Sequence, residues 1–287
     1  MLTIAFDGLA YGMLLFVLAC GLAVTLGLMN FVNLAHGAFA MAGGYLTVIL
    51  VNRLGWSFFA ALPMAFVGSA MLGALLERTL YVHVYAKGHL DQVLFTIGLV
   101  FMSVAAVDYV MGSQQVFVRL PDALQGQFIV GGVGIGKYRL LIIVICGLLS
   151  LALQLVLAQT RFGSRLRAAV DDPRVARGLG INVDAVFATT FAVGSGLAGL
   201  GGALGAEILG LDPTFPLKFM IYFLIVVTVG GTSSITGPFL ASILLGIADV
   251  AGKYYVPRLG AFVIYTIMIL VLIWRPQGLF ARPAGRA

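Results

Sequence analysis

Residues 29–40 read MNFVNLAHGAFA, two asparagines and a histidine inside a stretch with no charged residue from Gly8 to Asn52. The flanking sequence is apolar enough for lipid, so the work of these three polar side chains decides how the chain is built. Asn30, Asn33 and His36 follow one another in steps of three, which a helix would place roughly on one face. Asparagine also bonds backbone that is set free where a helix breaks. Two readings stand: the three residues cap a break in a membrane segment, or they line the inner part of a permeation path. Metal binding lacks support, because no other His, Cys or carboxylate is spaced to help.

Composition sets the solvent. The chain has 287 residues, 61% hydrophobic and 10% charged, where a soluble domain carries about 25% charged. Its mean hydropathy is +1.07. A membrane protein is expected. The 37 glycines fit that reading, since glycine lets membrane helices approach closely and tolerates breaks. The net charge of +6 arises from basic residues gathered between apolar segments, so topology explains it better than nucleic acid. Cys20 and Cys146 lie in apolar segments far apart and are expected as buried thiols. The stretch FVLACG loosely resembles a lipoprotein cleavage box. The preceding MLTIAFDG has no basic residue, however, and the apolar run continues past Cys20, so a first span is expected.

A spanning helix needs about 20 mostly apolar residues. The clear candidates are 8–29, 54–76, 92–112, 140–158 and 185–206, with a shorter one at 259–274. Segments 37–52, 219–231 and 235–251 are short or interrupted. The expected fold is therefore an all-α polytopic membrane protein with eight or nine transmembrane helices, two segments being broken. Lys and Arg in short loops set orientation. With nine crossings and a cytoplasmic C-terminus, ten basic residues fall inside and seven outside. The loop 159–183 dominates that count, with five arginines between Arg161 and Arg177. The polar connection 113–139 then lies outside. It is too short for a second core, and residues 1–287 are read as one transmembrane domain.

The arginine loop, TRFGSRLRAAVDDPRVARGLGINVD, carries cap chemistry as well as charge. Asp172 suits an N-cap and Pro173 the first helical position. Gly178 or Gly180 can close the turn in a left-handed C-cap. A pair of short basic helices is expected, either as an anchor on lipid headgroups or as a docking element for a cytoplasmic partner. An anchor needs the charge but not the caps. In the second break, VGGTSSITGPF, glycines and a proline interrupt a membrane segment, and chain of that kind must face protein or water. Both breaks end in Gly-x-Phe, at Gly37–Phe39 and Gly237–Phe239, a weak sign of an internal repeat. In the 185–206 span, Gly194, Ala198 and Gly202 are spaced by four, as are Ser195 and Gly199, the spacing of close helix packing. GGVGIGKY, from Gly131, nearly fits a phosphate-binding loop, but Tyr138 stands where a Ser or Thr is needed. A short hairpin is expected there. Asp249 and Lys253 are four apart and suit an ion pair. No buried acidic chain suggests a proton-coupled carrier.

In their order along the chain, NFVNLAHGAFAMAGGYL, TIGLVFMSVA, the arginine loop, GGTSSITGPFLASILLGI and RPQGLF resemble the permease subunits, of the shorter type, of bacterial branched-chain amino acid ABC importers. The resemblance implies a type II-like importer fold, with two permeases forming the path. Two cytoplasmic ATPase subunits would bind beneath and carry ATP-Mg, while this chain binds no cofactor and catalyses nothing. A periplasmic binding protein would deliver substrate to a multi-pass chain set among inner-membrane lipid. The ATPase-coupling residues implied are Arg161, Gly163, Arg165, Arg167, Asp171, Asp172, Pro173, Arg174, Gly178 and Gly180. The path or its helix breaks would involve Asn30, Asn33, His36, Gly37, Gly230, Gly231, Thr232, Ser233, Ser234 and Gly237. One departure bears on substrate: GGTS resembles related sugar permeases, and relatives carry amides and urea. A sugar, amide or urea permease therefore stands as the alternative, and an ion-coupled carrier as the alternative of another class.

Overall fold

The structure is a computed structural model that describes residues 1–27, 29, 31–130, 133–231 and 234–280. Among these, eleven α-helices run in the order α1 (Leu2–Gly27), α2 (His36–Val48), α3 (Phe58–Thr79), α4 (His89–Met111), α5 (Lys137–Gln159), α6 (Arg161–Asp171), α7 (Pro173–Gly178), α8 (Val183–Gly205), α9 (Phe215–Gly230), α10 (Thr236–Tyr255) and α11 (Gly260–Trp274). Five stretches (α1, α3 with the turn to His83, α4, α5 and α8) are long and apolar enough to cross a membrane. The shorter α2, which a π-helical turn at Ile49–Arg53 extends, α9, α10 and α11 fall in the remaining expected segments. The expected hairpin forms from β1 (Gln127–Val130) and β2 (Val133–Gly136), antiparallel, with Phe128 opposite Ile135.

The spans sort by what they touch. α1 and α8 are mostly buried inside the bundle, whereas most of α4 and α5 faces outward. Leu14, Leu15 and Phe16 of α1 are fully buried in a core shared with Phe39, Phe191 and Phe223. Cys20 and Cys146 are both free and buried. Side chains facing outward from α4 and α5, such as Met102 and Leu148, are large and apolar. That pattern suits lipid or a partner helix and would be costly in water.

Glycines set the spacing around α8. A Cβ on Gly202 would run into the Ala40 carbonyl of α2, and one on Gly199 into Ser69 of α3. A Cβ on Gly194 would lie 3.2 Å from the Gly21 Cα of α1. The two small-residue rows in the sequence thus serve three neighbours. Gly8, Gly12 and Gly246 do the same where α1 crosses α10. Lipid is as apolar as the side chains, so burial adds little to association in the membrane, and close van der Waals packing carries it.

The connection 113–139 is strapped across the ends of α2 and α8. Asn52 Nδ2 donates to the Phe117 carbonyl at 2.8 Å, and Arg119 N–H donates to Asn52 Oδ1 at 3.0 Å. Val116 bridges Leu211 in both directions at 2.8 Å. Tyr138, at the start of α5, donates to the Leu204 carbonyl at 2.7 Å.

This packing gives a test. Gly202→Val sets a branched side chain against backbone that cannot yield, and is expected to cost about 1–3 kcal/mol or more. Gly98→Ala, where nothing lies within 4 Å, is expected to leave stability unchanged or raised by about 1 kcal/mol from helix propensity. Thermal unfolding in detergent, followed by circular dichroism, compares the two. Equal melting temperatures would show that the glycine contacts do not set the packing.

Candidate functional site

Three places collect the polar chemistry: the two helix breaks, the arginine loop, and a cavity at the opposite end of the bundle.

The first break doubles back into the bundle. After α1 ends at Gly27 the chain returns so far that His36 Nε2 meets the Leu18 carbonyl at 2.9 Å. At 1.5 Å of rise per residue, Leu18 lies roughly 14 Å before the end of α1. A hydrogen bond to a carbonyl requires that Nε2 carry the proton. Phe31 N–H donates to Thr25 O at 3.0 Å and Val32 N–H to Gln92 Oε1 at 3.3 Å. Asn33 Oδ1 accepts from the Tyr81 hydroxyl at 3.1 Å. Asn33 and His36 are 1% and 2% exposed, so both point into protein. Gly37 packs on Pro216 of α9, where a Cβ would lie 3.0 Å from backbone. Asn30 lies outside the described residues.

The second break sits at the same level, since Phe239 meets Phe16 of α1 edge to face at 5.2 Å. α9 ends at Gly230, and Gly231 takes φ +88°, a conformation costly to a residue with a Cβ. Its N–H donates to Val227 O at 2.9 Å. Gly230 and Gly237 stack backbone to backbone across the turn. Ser234 Oγ accepts from Gly237 N–H at 3.3 Å at the start of α10. The C-terminal RPQGLF stretch folds onto this break: Leu279 N–H donates to the Val229 carbonyl at 2.8 Å, and Gly278 packs on Gly231. Thr232 and Ser233 lie outside the described residues. The sequence reading missed the braces from Tyr81, Gln92 and Leu279, because they come from distant segments.

The arginine loop folds as α6 and α7. Thr160 caps α6 by accepting from Gly163 N–H at 3.4 Å. Gly163 lies against the Leu157 carbonyl, and Arg167 donates to the same carbonyl at 2.5 Å. Asp172 Oδ1 accepts from Arg174 N–H at 2.8 Å and Val175 N–H at 3.1 Å, with Pro173 at the first helical position. Gly180, with φ +82°, takes the left-handed position, and Gly178 stays helical. Gly180 N–H bonds Arg177 O at 3.0 Å and Ile181 N–H bonds Ala176 O at 3.0 Å, the two bonds of a Schellman closure. Asn182 then caps α8 through Ala185 N–H, and Arg177 pairs with Asp184 at 2.8 Å. Leu166, Ala169, Ala176, Val183 and Val186 form a small core beneath. Above it, Arg161, Arg165, Asp171 and Arg174 are exposed, and so are the apolar Val175 (58%) and Leu179 (75%). Leu179, Ile181 and Phe162 border a groove of about 540 Å³. The apolar exposure on α7 escaped the sequence reading, which attended to charge.

At the other end, Asp7 pairs with Arg139, and Asp249 pairs with Lys253 at 2.5 Å. Asp212 accepts from Lys218 at 2.5 Å and from the Thr214 hydroxyl and N–H. Burial works against the Asp212 charge, but Lys218 and Thr214 outweigh it and hold the carboxyl below its ordinary value. The Asp249–Lys253 pair was legible from its spacing. Asp7 and Arg139 are too far apart in sequence for spacing to link them. Nearby, Lys137 of the near phosphate-loop pattern sits over the Phe128 ring at 5.3 Å, at the foot of the hairpin; Gly131 lies outside the described residues.

A sequence profile of the family described as branched-chain amino acid transport system / permease component matches residues 4–272. The high-affinity branched-chain amino acid transport system permease protein LivH of Escherichia coli K12 is 29% identical over 97% of this chain and 94% of its own length. BraD of Pseudomonas aeruginosa, of the same description, is 29% identical over 96% of this chain and 94% of its own. The LivM permease of Escherichia coli K12 is 27% identical over 93% of this chain and 68% of its own. No solved structure matches the chain. A profile that runs through nearly all the spans, over a chain of apolar helices, places it: this multi-pass membrane protein belongs to the branched-chain amino acid transport permease family.

Proposed function

We propose that the chain is the shorter-type permease subunit of an ABC importer for branched-chain or other hydrophobic amino acids, lying as one transmembrane unit in a bacterial inner membrane. ATP hydrolysis belongs to separate subunits seated on α6 and α7, and this chain supplies no catalytic residue. The observation that carries the reading is the capped α7 helix with Val175 and Leu179 exposed beside Arg174. Lipid headgroups would hold the arginines alone. A rigid helix that shows both apolar and basic side chains to water suits a protein groove. The relatives support the substrate class, because LivH and BraD are named as permeases for branched-chain amino acids. Similarity to both LivH and LivM supports a second, related permease as partner. A type II-like importer path between two such chains, fed by a periplasmic binding protein, completes the reading.

In this arrangement the arginine loop and the C-terminus face the cytoplasm, and the N-terminus and the β1–β2 hairpin face outward. Asn33, His36, Gly37, Gly230, Gly231, Ser234 and Gly237 form the braced breaks that bound the path. Their bonds to protein support a scaffolding role.

Orientation is open to labelling. Arg174→Cys is expected to react with an impermeant thiol reagent only from the cytoplasmic side, and Asp122→Cys only from outside. Cys20 and Cys146 are buried and leave little background. Reaction of both positions from one side would overturn the topology.

Docking is open to a double variant. Loss of the Asp172 cap costs about 0.5–2 kcal/mol, and a branched residue at Gly180 strains the left-handed turn. Asp172→Ala with Gly180→Val is expected to leave the spans inserted. It is expected to lower transport several-fold, either by releasing the ATPase on co-purification or by uncoupling its hydrolysis from substrate. Normal transport with a fully coupled ATPase would leave the loop as a lipid anchor only.

A further inference from the structure

The cavity at the end of the bundle opposite α6 and α7 holds about 430 Å³ between α1, α5, α9 and α10. Asp7, Arg139, Lys218, Asp249 and Lys253 line it together with aromatic and aliphatic side chains. Most of these charges are spent on one another. Arg139 holds Asp7, Lys253 holds Asp249 Oδ2, and Lys218 holds Asp212 from the rim. One acceptor is left over. Asp249 is 1% exposed, and its Oδ1 has no hydrogen-bond partner among the described residues. A buried carboxylate oxygen without a donor is more costly than a neutral polar atom in the same place. Such a group calls for a positively charged or hydrogen-bonding occupant. On the cation side, Lys218 and Lys253 are about half exposed, and each ammonium has three donors of which a carboxylate takes one.

We propose that this cavity is a binding station for an amino-acid zwitterion on its way into the permease, with Asp249 Oδ1 accepting from the substrate ammonium and Lys218 donating to its carboxylate. Asp249 on α10 and Lys218 on α9 both line the cavity; Asp249 Oδ1 is itself buried, so a turn of the carboxylate brings it to an occupant, a demand that an uncharged sugar would leave unmatched and a lone anion would half satisfy. A metal ion fits less well, since no group of three metal-ligating side chains occurs among the described residues. Tyr11, Phe219 and Val250 supply an apolar wall for an aliphatic side chain. The station rests on the amino-acid reading above and adds to it a place and a set of contacts.

The test uses the complete importer, with its ATPases, second permease and binding protein, in proteoliposomes with radiolabelled leucine. Asp249→Asn keeps the size of the side chain and removes its charge. It is expected to lower leucine uptake at least tenfold, with the complex assembled. Asp249→Asn with Lys253→Gln separates roles: if Asp249 serves only its ion pair, the neutral pair restores uptake, and the proposal is overturned. Continued loss supports ammonium binding. Should Asp249→Asn fail to assemble, two further variants decide. Ile208→Trp fills the cavity from the connecting loop without touching the charges and is expected to abolish uptake. Val250→Cys, in an otherwise unaltered importer, is expected to react several-fold more slowly with a methanethiosulfonate reagent when leucine is saturating. Normal uptake by Ile208→Trp, or leucine-independent modification of Val250→Cys, overturns the station while leaving the amino-acid reading intact. An unaltered importer that moves sugar, amide or urea but not leucine overturns that reading and the station with it.

Discussion

The backbone-to-backbone approach of α8 to its neighbours is the constraint on which the other contacts depend. α8 lies against α1 through Gly194, against α2 through Gly202 and against α3 through Gly199. Each glycine in a helix interior costs about 1 kcal/mol of propensity relative to alanine. In lipid that cost is offset, because helices cannot rely on expelling water to come together. Close approach brings peptide groups of two helices into mutual contact and lets Ser69 of α3 donate to the Phe39 carbonyl of α2 at 3.2 Å. Wider spacing would open α2 to lipid, and α2 is the half-helix that the first break delivers into the bundle.

The breaks are possible only inside that packing. A chain that stops being helical within the membrane frees N–H and C=O groups, each worth several kcal/mol if left bare. Here freed backbone groups are met from other segments: Gln92 of α4 serves Val32 and Leu279 serves Val229, while Tyr81 holds the Asn33 side chain in place. The two breaks end level with residues 16–18 of α1, so the irregular backbone is gathered at one depth. The C-terminal RPQGLF stretch is thus part of the second break, although it lies more than 40 residues away in sequence.

Much of this was legible in the sequence. The spans fell within a few residues of their helices, because apolar runs in lipid are bounded by the same Gly, Pro and charged residues that end them. The α7 helix was legible down to Asp172 and Pro173, since cap chemistry acts over three or four residues. The choice of Gly180 over Gly178 was not, because either glycine tolerates the left-handed conformation and the seat of Ile181 in the small core decides between them. The Asp7–Arg139 pair and the Tyr81–Asn33 bond were invisible for a different reason. They join segments whose separation carries no period, so only the tertiary packing creates them.

The buried polar groups can be sorted by where their hydrogen bonds go, and the sorting separates scaffold from site. Thr25, Thr47, Thr96, Ser150, Thr190 and Ser242 bond carbonyls three or four residues back on their own helices. They are satisfied locally and bear on nothing beyond the helix. Asn33, His36, Ser69, Gln92 and Tyr138 bond across elements and pin the breaks and span ends. Two buried side-chain atoms among the described residues stand outside both groups, the Tyr45 hydroxyl and Asp249 Oδ1. A hydroxyl left alone forfeits one modest bond, whereas a carboxylate oxygen keeps its share of a full charge. Among the buried carboxylates, Asp212 is met by Lys218 and Thr214 and Glu77 by the Tyr85 hydroxyl, whereas Asp249 gives one oxygen to Lys253 and keeps the other without a partner; that oxygen is the demand an occupant that comes and goes would complete.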